Sequence, residues 1–172
     1  MKKSKKRDFI DYLIIIIAVI LLRTFIITPA VVRQQSMEPT LFEKDVIIIN
    51  KLGKFNRFDV VVIDLGNEYI IKRVIGLPGE HIEYIDNRLY VDGKYIEEAF
   101  LDDSVITVDF DILNIGINNI TNDSYFVLGD NRTNSTDSRV IGVINKKDII
   151  GKTNTIIFPF KHIKIINKNI NI

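Results

Sequence analysis

Tyr69-Ile70-Ile71-Lys72-Arg73-Val74-Ile75 is a run of β-branched and aromatic residues interrupted only by two adjacent cations. Such residues suit the pleated, half-buried surface of a strand, and the run stops at Gly76-Leu77-Pro78-Gly79. The same pattern recurs at residues 45–49 and 59–63, each bounded by Gly, Asn or Pro. Residues 82–85 and 88–91 flank Asp86-Asn87, a turn pair suited to a hairpin, and Asp92-Gly93 marks another reversal. Residues 125–128 and 155–158 resume the strand pattern. Between them, residues 97–124 are acidic, Asn-rich and poorly periodic, and read as an irregular excursion. Beyond Pro29 no long amphipathic helix and no repeat is visible. The chain after Pro29 is therefore expected to be mainly β, with few or no helices.

The remainder of the composition narrows the class. A chain of 172 residues has room for one anchor segment and one domain of ordinary size. The net charge of +1 gives no reason to expect a nucleic-acid partner. With no cysteine, a disulfide framework, a thiolate metal site and every cysteine nucleophile are excluded; a sortase-like transpeptidase is excluded with them.

The basic residues are uneven, with Lys2, Lys3, Lys5, Lys6 and Arg7 crowded before an apolar run at residues 9–27. As a helix rising ~1.5 Å per residue, that run would span roughly 28 Å, close to a hydrocarbon core of about 30 Å. It carries two charges, Asp11 and Arg23, and Arg23 can snorkel toward the headgroups. Pro29 is expected to end any helix nearby. A cleaved secretory signal would need a small-x-small site, which Ile27-Thr28-Pro29-Ala30-Val31-Val32 lacks. The segment reads as a retained anchor. Lys/Arg flanks stay on the cytoplasmic side, so the organisation expected is a basic cytoplasmic tail at 1–8, a transmembrane anchor at 9–28 and an extracytoplasmic domain at 29–172.

Three polar features stand out against this apolar background. Ser36, in Ser36-Met37-Glu38-Pro39-Thr40-Leu41, follows shortly after the anchor; alone it is as readily a turn serine. Lys72 shares a strand face with Ile70 and Val74, while Arg73 points the other way with Ile71 and Ile75. Both faces are apolar, so periodicity does not say which is the core. A lysine on an apolar face must reach water or lose its proton. A hydroxyl becomes a good nucleophile when a base takes its proton, and a lysine of lowered pKa can be that base. Arg73 stays protonated and cannot. The third feature is the polar loop from Gly129-Asp130-Asn131-Arg132-Thr133 through Asn134-Ser135-Thr136-Asp137-Ser138-Arg139. It fails as an EF-hand because Arg132 and Ser135 stand where a ligand and a glycine are needed, and it reads as a supporting shell for a site. His81 and His162 lie outside any triad context and read as structural or surface residues.

Taken together, these segments resemble the bacterial type I signal peptidase family in its short Gram-positive-like form, from about residue 21 to residue 151. Ser36-Met37-Glu38-Pro39-Thr40-Leu41 resembles the nucleophile box, residues 72–80 the lysine box, and residues 129–139 a third box. The resemblance implies an N-terminal transmembrane helix followed by a domain of antiparallel sheets forming a partly open barrel. It implies a monomeric serine endopeptidase at the outer face of the cell membrane, without cofactor or metal, that cuts signal peptides from exported precursors after small residues. Ser36 would be the nucleophile and Lys72 the general base. Ser135 would orient the lysine, Asp137 and Arg139 would pair to hold the loop, and Arg73 would be structural. Val32, Met37, Leu41 and Ile70 would line the substrate pockets. Two residues before the nucleophile the family has a serine or a glycine. Here Gln34 stands there, and its amide could donate to an oxyanion or its bulk could crowd the site.

Overall fold

The computed structural model describes residues 5–166. Helix α1 (Lys5–Phe25) leads directly into a chain of short strands: β1 (Ile27–Val31), β2 (Val46–Asn50), β3 (Val60–Asp64), β4 (Tyr69–Gly76), β5 (Ile82–Ile85) and β6 (Arg88–Val91). They are followed by β7 (Lys94–Ile96), β8 (Phe110–Asp111), β9 (Ser124–Leu128), the single-turn helix α2 (Ser138–Ile141), β10 (Ile144–Asn145), β11 (Ile149–Phe158) and β12 (Lys164–Ile165). The fold is mainly β, and every pairing is antiparallel.

Two sheets result. The larger runs β1-β2-β11-β3-β4-β9-β10, with β12 added to β11, and the smaller runs β7-β6-β5-β8. β3 explains why the large sheet reads as unbroken apolar runs rather than as alternation. Val60 and Val62 enter one buried cluster with Met37, Leu41 and Ile47, while Val61 and Ile63 enter another with Ile70, Val74 and Val127. A strand covered on both faces has no polar side to show. The small sheet closes over a third cluster around Ile82, Tyr84, Leu89 and Phe126. Residues 97–123 contribute the short strand β8 and a series of turns, together with the core residues Ile112 and Ile120, and Ser124 already opens β9.

The helix boundary departs from the sequence expectation. α1 ends at Phe25, and Ile27, Thr28 and Pro29 already pair with Asn50, Ile49 and Ile48 of β2. Pro29 therefore does not stop the helix; it sits in an edge strand, where a missing N–H can face away from the ladder. Among the described residues, no helix is long and apolar enough to cross a membrane; Asp8, Asp11 and Arg23 interrupt α1. The basic residues at positions 1–4 lie outside the described residues.

Candidate active site

Ser36 is positioned by the chain on both sides of it. Upstream, Val32 N–H donates to Asp45 O (2.8 Å) and Lys44 N–H to Val32 O (2.9 Å), extending the β1 and β2 ladder toward the serine. Downstream, Leu41 N–H donates to Met37 O at 2.9 Å. That i to i+4 bond stacks Met37 and Leu41 on one side of a turn, and both are fully buried in the cluster under β2 and β3. Ser36 is thus held on a turn whose apolar side is plugged into the core.

Lys72 comes from the middle of β4, flanked in alternation by Ile70 and Val74, and is 1% exposed. Its Nζ lies 2.6 Å from Ser36 Oγ. Burial among apolar groups lowers its pKa from 10.5 to about 8, against the opposing pull of Asp137, Glu68 and Asp130. The arrangement pairs a hydroxyl with an amine that can shed its proton near neutral pH, which is the minimum a Ser-Lys nucleophile requires.

The loop after β9 is pinned against this pair. Asn131 N–H donates to Ser36 O (3.0 Å), and Asn131 Nδ2 donates to Gln35 O (3.2 Å). Asp137 caps α2 and accepts from Arg139 Nε and Nη2 (both 2.8 Å) and from Gly129 N–H (3.0 Å). Burial pushes the Asp137 carboxyl up, but Arg139 and the Gly129 amide outweigh it and hold the group below the usual carboxylate range. Gly129 lies between Ser135 and Ser36: a Cβ there would overlap Ser135 Oγ and the Ser36 carbonyl oxygen. Ser135 Oγ is buried, and although it helps keep Asp137 ionised, it meets no partner at hydrogen-bond geometry. No hydrogen bond joins it to Lys72.

Two buried arginines brace the site, and their partners are absent from any sequence reading. Arg73 donates to Asp130 through Nε and Nη2, to Phe58 O through Nη1, and lies 3.9 Å over the Phe100 ring. Arg132 donates to Tyr84 Oη, Thr107 Oγ1, Glu98 and Gly129 O, tying the loop to the small sheet. The density of polar residues in the loop was the available signal; nothing local named Tyr84, Glu98 and Thr107 as counterparts.

Beside Ser36 opens a cleft of about 890 Å³, lined on one wall by residues from Thr28 to Met37 and on the other by Asp64, Gly66, Asn67, Glu68, Tyr69 and Ile71. Val32 and Met37 belong to the lining. Leu41 and Ile70 do not; both are buried in core clusters, and Ile71, next along β4, faces the cleft instead. Gln34 Nε2 donates to Glu68 Oε2 at 3.1 Å, so its amide is directed at the opposite wall. The histidines are elsewhere: His81 pairs with Asp111 (3.3 Å) and His162 with the buried Asp45 (2.9 Å). His81, Glu83 and Asp111 form the one group among the described residues with ligand atoms close enough to share a metal ion; it lies on the small sheet, away from the cleft lining.

A buried serine-lysine pair thus stands beside a cleft on an antiparallel β framework, an arrangement a serine peptidase could use. The family model for signal peptidase, peptidase S26, matches residues 6–158. Signal peptidase I P of Bacillus subtilis subsp. natto is 40% identical over 95% of this chain and 96% of its own length. Signal peptidase IB of Staphylococcus aureus (strain Mu50 / ATCC 700699) is 34% identical over 95% of each chain. Among solved structures, a signal peptidase I from Enterococcus faecalis V583 is 32% identical, with a TM-score of 0.53 over 59% of this chain and 97% of that one. The chain belongs to the signal peptidase family of serine peptidases.

Proposed function

We propose that the chain is a membrane-associated serine endopeptidase that removes N-terminal signal peptides from exported precursors, using Ser36 as nucleophile and Lys72 as general base. The observation that carries this reading is the 2.6 Å contact between Lys72 Nζ and Ser36 Oγ at a buried site. Neutral Lys72 takes the Ser36 proton as Oγ bonds to the scissile carbonyl carbon. The oxyanion is met by the Ser36 N–H, a donor of a kind typically worth ~3 kcal/mol in the transition state. The lysine ammonium then gives its proton to the departing amine, leaving an acyl-serine. Water, deprotonated by the same lysine, attacks that ester and restores the hydroxyl.

The precursor lies extended along the cleft. β4 pairs with β9 only from Arg73 onward, so residues Tyr69 to Lys72 have β3 on one side and no strand on the other. A peptide adds itself to that free half-edge by main-chain hydrogen bonds. Val32 and Met37, joined by Ile71, favour small apolar side chains at the first and third positions before the cut. α1 supports association with the bilayer: Phe9, Tyr12, Ile14, Val19 and Phe25 are exposed around the helix, which meets the domain at its C-terminal end through β1 and Lys51. Between Tyr12 and Leu22 the helix carries no charge on any side, and such a stretch favours leaving water. With the basic N-terminus inside, the domain stands on the outer face.

The test is purified full-length enzyme with a detergent-solubilised precursor. A single cut after a small residue is expected, lost in Ser36→Ala and Lys72→Ala; cleavage by both variants at the parental rate would remove the assigned pair. Protease shaving of intact cells should digest the domain, and complete protection would invert the topology.

A further inference from the structure

The cleft is crossed by a polar contact that the reaction itself does not require. Gln34 projects from the wall leading into Ser36, Glu68 from the hairpin between β3 and β4, and the glutamine amide donates to the carboxylate at 3.1 Å. Glu68 is exposed, and its backbone carbonyl closes the hairpin by accepting from Leu65 N–H (2.9 Å). The carboxylate is therefore carried on a defined turn. Of the other charges on the lining, Lys51 Nζ is bonded to Thr24 O and Asp64 Oδ1 to Gly66 N–H. Arg33 stands on the Gln34 wall.

An extended peptide between these walls alternates its side chains. On the proposed function, which this inference rests on, the first and third residues before the cut point down into the apolar lining. The second then points the opposite way, to the mouth of the cleft, where Gln34 and Glu68 meet. A peptide entering must separate them, and separation leaves the carboxylate without the amide that partnered it. We propose that Glu68 is a specificity determinant that favours a basic side chain at the second position before the cut, with Gln34 as the group the substrate displaces. The chemistry is an exposed ion pair, so discrimination is modest and screened by salt.

The experiment uses the full-length enzyme in detergent and three precursor-derived peptides identical except for Lys, Ala or Glu at that position. The expected result is kcat/KM for the Lys peptide about fivefold above the Glu peptide at low ionic strength, carried mainly in KM and shrinking with added salt. Glu68→Gln should level the three, and Glu68→Lys should reverse their order, a response that a merely structural role for Glu68 would not give. Gln34→Ala should widen the preference for Lys by removing the competitor. Equal cleavage of all three peptides by the parent would overturn the inference, as would a preference for Glu, which would assign the charge at the mouth to Arg33. Failure of the parent to cut any of them would count instead against the proposed function.

Discussion

Arg73 and Asp130, separated by 57 residues in sequence, meet through two parallel hydrogen bonds of 2.8 and 2.6 Å with neither side chain exposed. One follows Lys72 and the other follows Gly129, so the pair fixes the strand that carries the amine to the loop that holds the serine's carbonyl. Two independent pieces of chain are thereby made into a single site.

Removing one member of that pair leaves the other buried and uncompensated. Asp130→Ala is expected to destabilise the domain by about 3–5 kcal/mol, read as a lower denaturant midpoint at unchanged slope. Arg73→Lys should lose most of the same stability, because an ammonium cannot supply the parallel fork that the carboxylate accepts.

Lys72 gives activity and stability the same direction of pH dependence. As the proposed general base its amine must be neutral, so kcat/KM should rise with pH and level off near 8, falling about tenfold per unit below that. The folded chain releases this proton near pH 8 and the unfolded chain near 10.5. Between those values the unfolded chain binds more protons, so stability gains with rising pH across that window. Lys72→Met should abolish cleavage and remove this contribution, leaving a flatter stability profile from pH 8 to 10.5.

Gly129 tolerates no side chain. A methyl there overlaps the Ser135 side chain at both Oγ and Cβ, and the Ser36 carbonyl oxygen, which is backbone, so rotating a hydroxyl does not relieve it. Gly129→Ala should cost about 1–3 kcal/mol of stability and should lower kcat more than it raises KM, because the displaced atom belongs to Ser36, the proposed nucleophile. Steady-state kinetics beside an unfolding curve separates the two effects.

Ser135 and Thr153 both bury a hydroxyl that meets no partner. A buried unsatisfied hydroxyl costs about 1–3 kcal/mol. Thr153→Val, in the middle of β11, should therefore raise the melting temperature with no change in rate. Ser135→Ala also withdraws the hydroxyl that helps keep Asp137 ionised, so it should bring no such gain, and on the proposed role of Ser135 it should lose kcat and displace the acidic limb. Unchanged kinetics in Ser135→Ala would leave that hydroxyl without a role in tuning Lys72.

The strands β2 to β6, β9 and the end of β11 were legible because β-branched runs bounded by turn residues leave little other choice, whereas β1, the short β7, β8, β10 and β12 and the start of β11 were not; Asp137 with Arg139 are near enough in sequence to meet without tertiary information. Other contacts depended on distant chain. Ile70 and Ile71 are chemically identical neighbours on a strand apolar on both faces, and only the packing of β9 and β11 decides that Ile71 lines the cleft. Leu41 falls on the buried side of its turn through its bond to Met37 O. The partners of Arg132 come from Tyr84 and from residues 97–124, a segment without periodicity whose Glu98 and Thr107 carry no local sign of where they point. The end of α1 was misplaced for a related reason: Thr28 and Pro29 acquire strand geometry from β2, not from their own preferences.

Only Ile26 separates α1 from β1, and β1 is held in register with β2 along its whole length. At about 3.3 Å per residue, those five paired residues span roughly 17 Å. On the proposed function, Ser36 therefore stands at a set height above the end of the helix, and the length of β1 works as a ruler. Lengthening β1 and β2 together by two residues would preserve every side-chain direction and raise the site by ~7 Å. If α1 rests in the bilayer as proposed, the bond chosen in a precursor would then depend on how far it projects from that surface, as well as on its sequence.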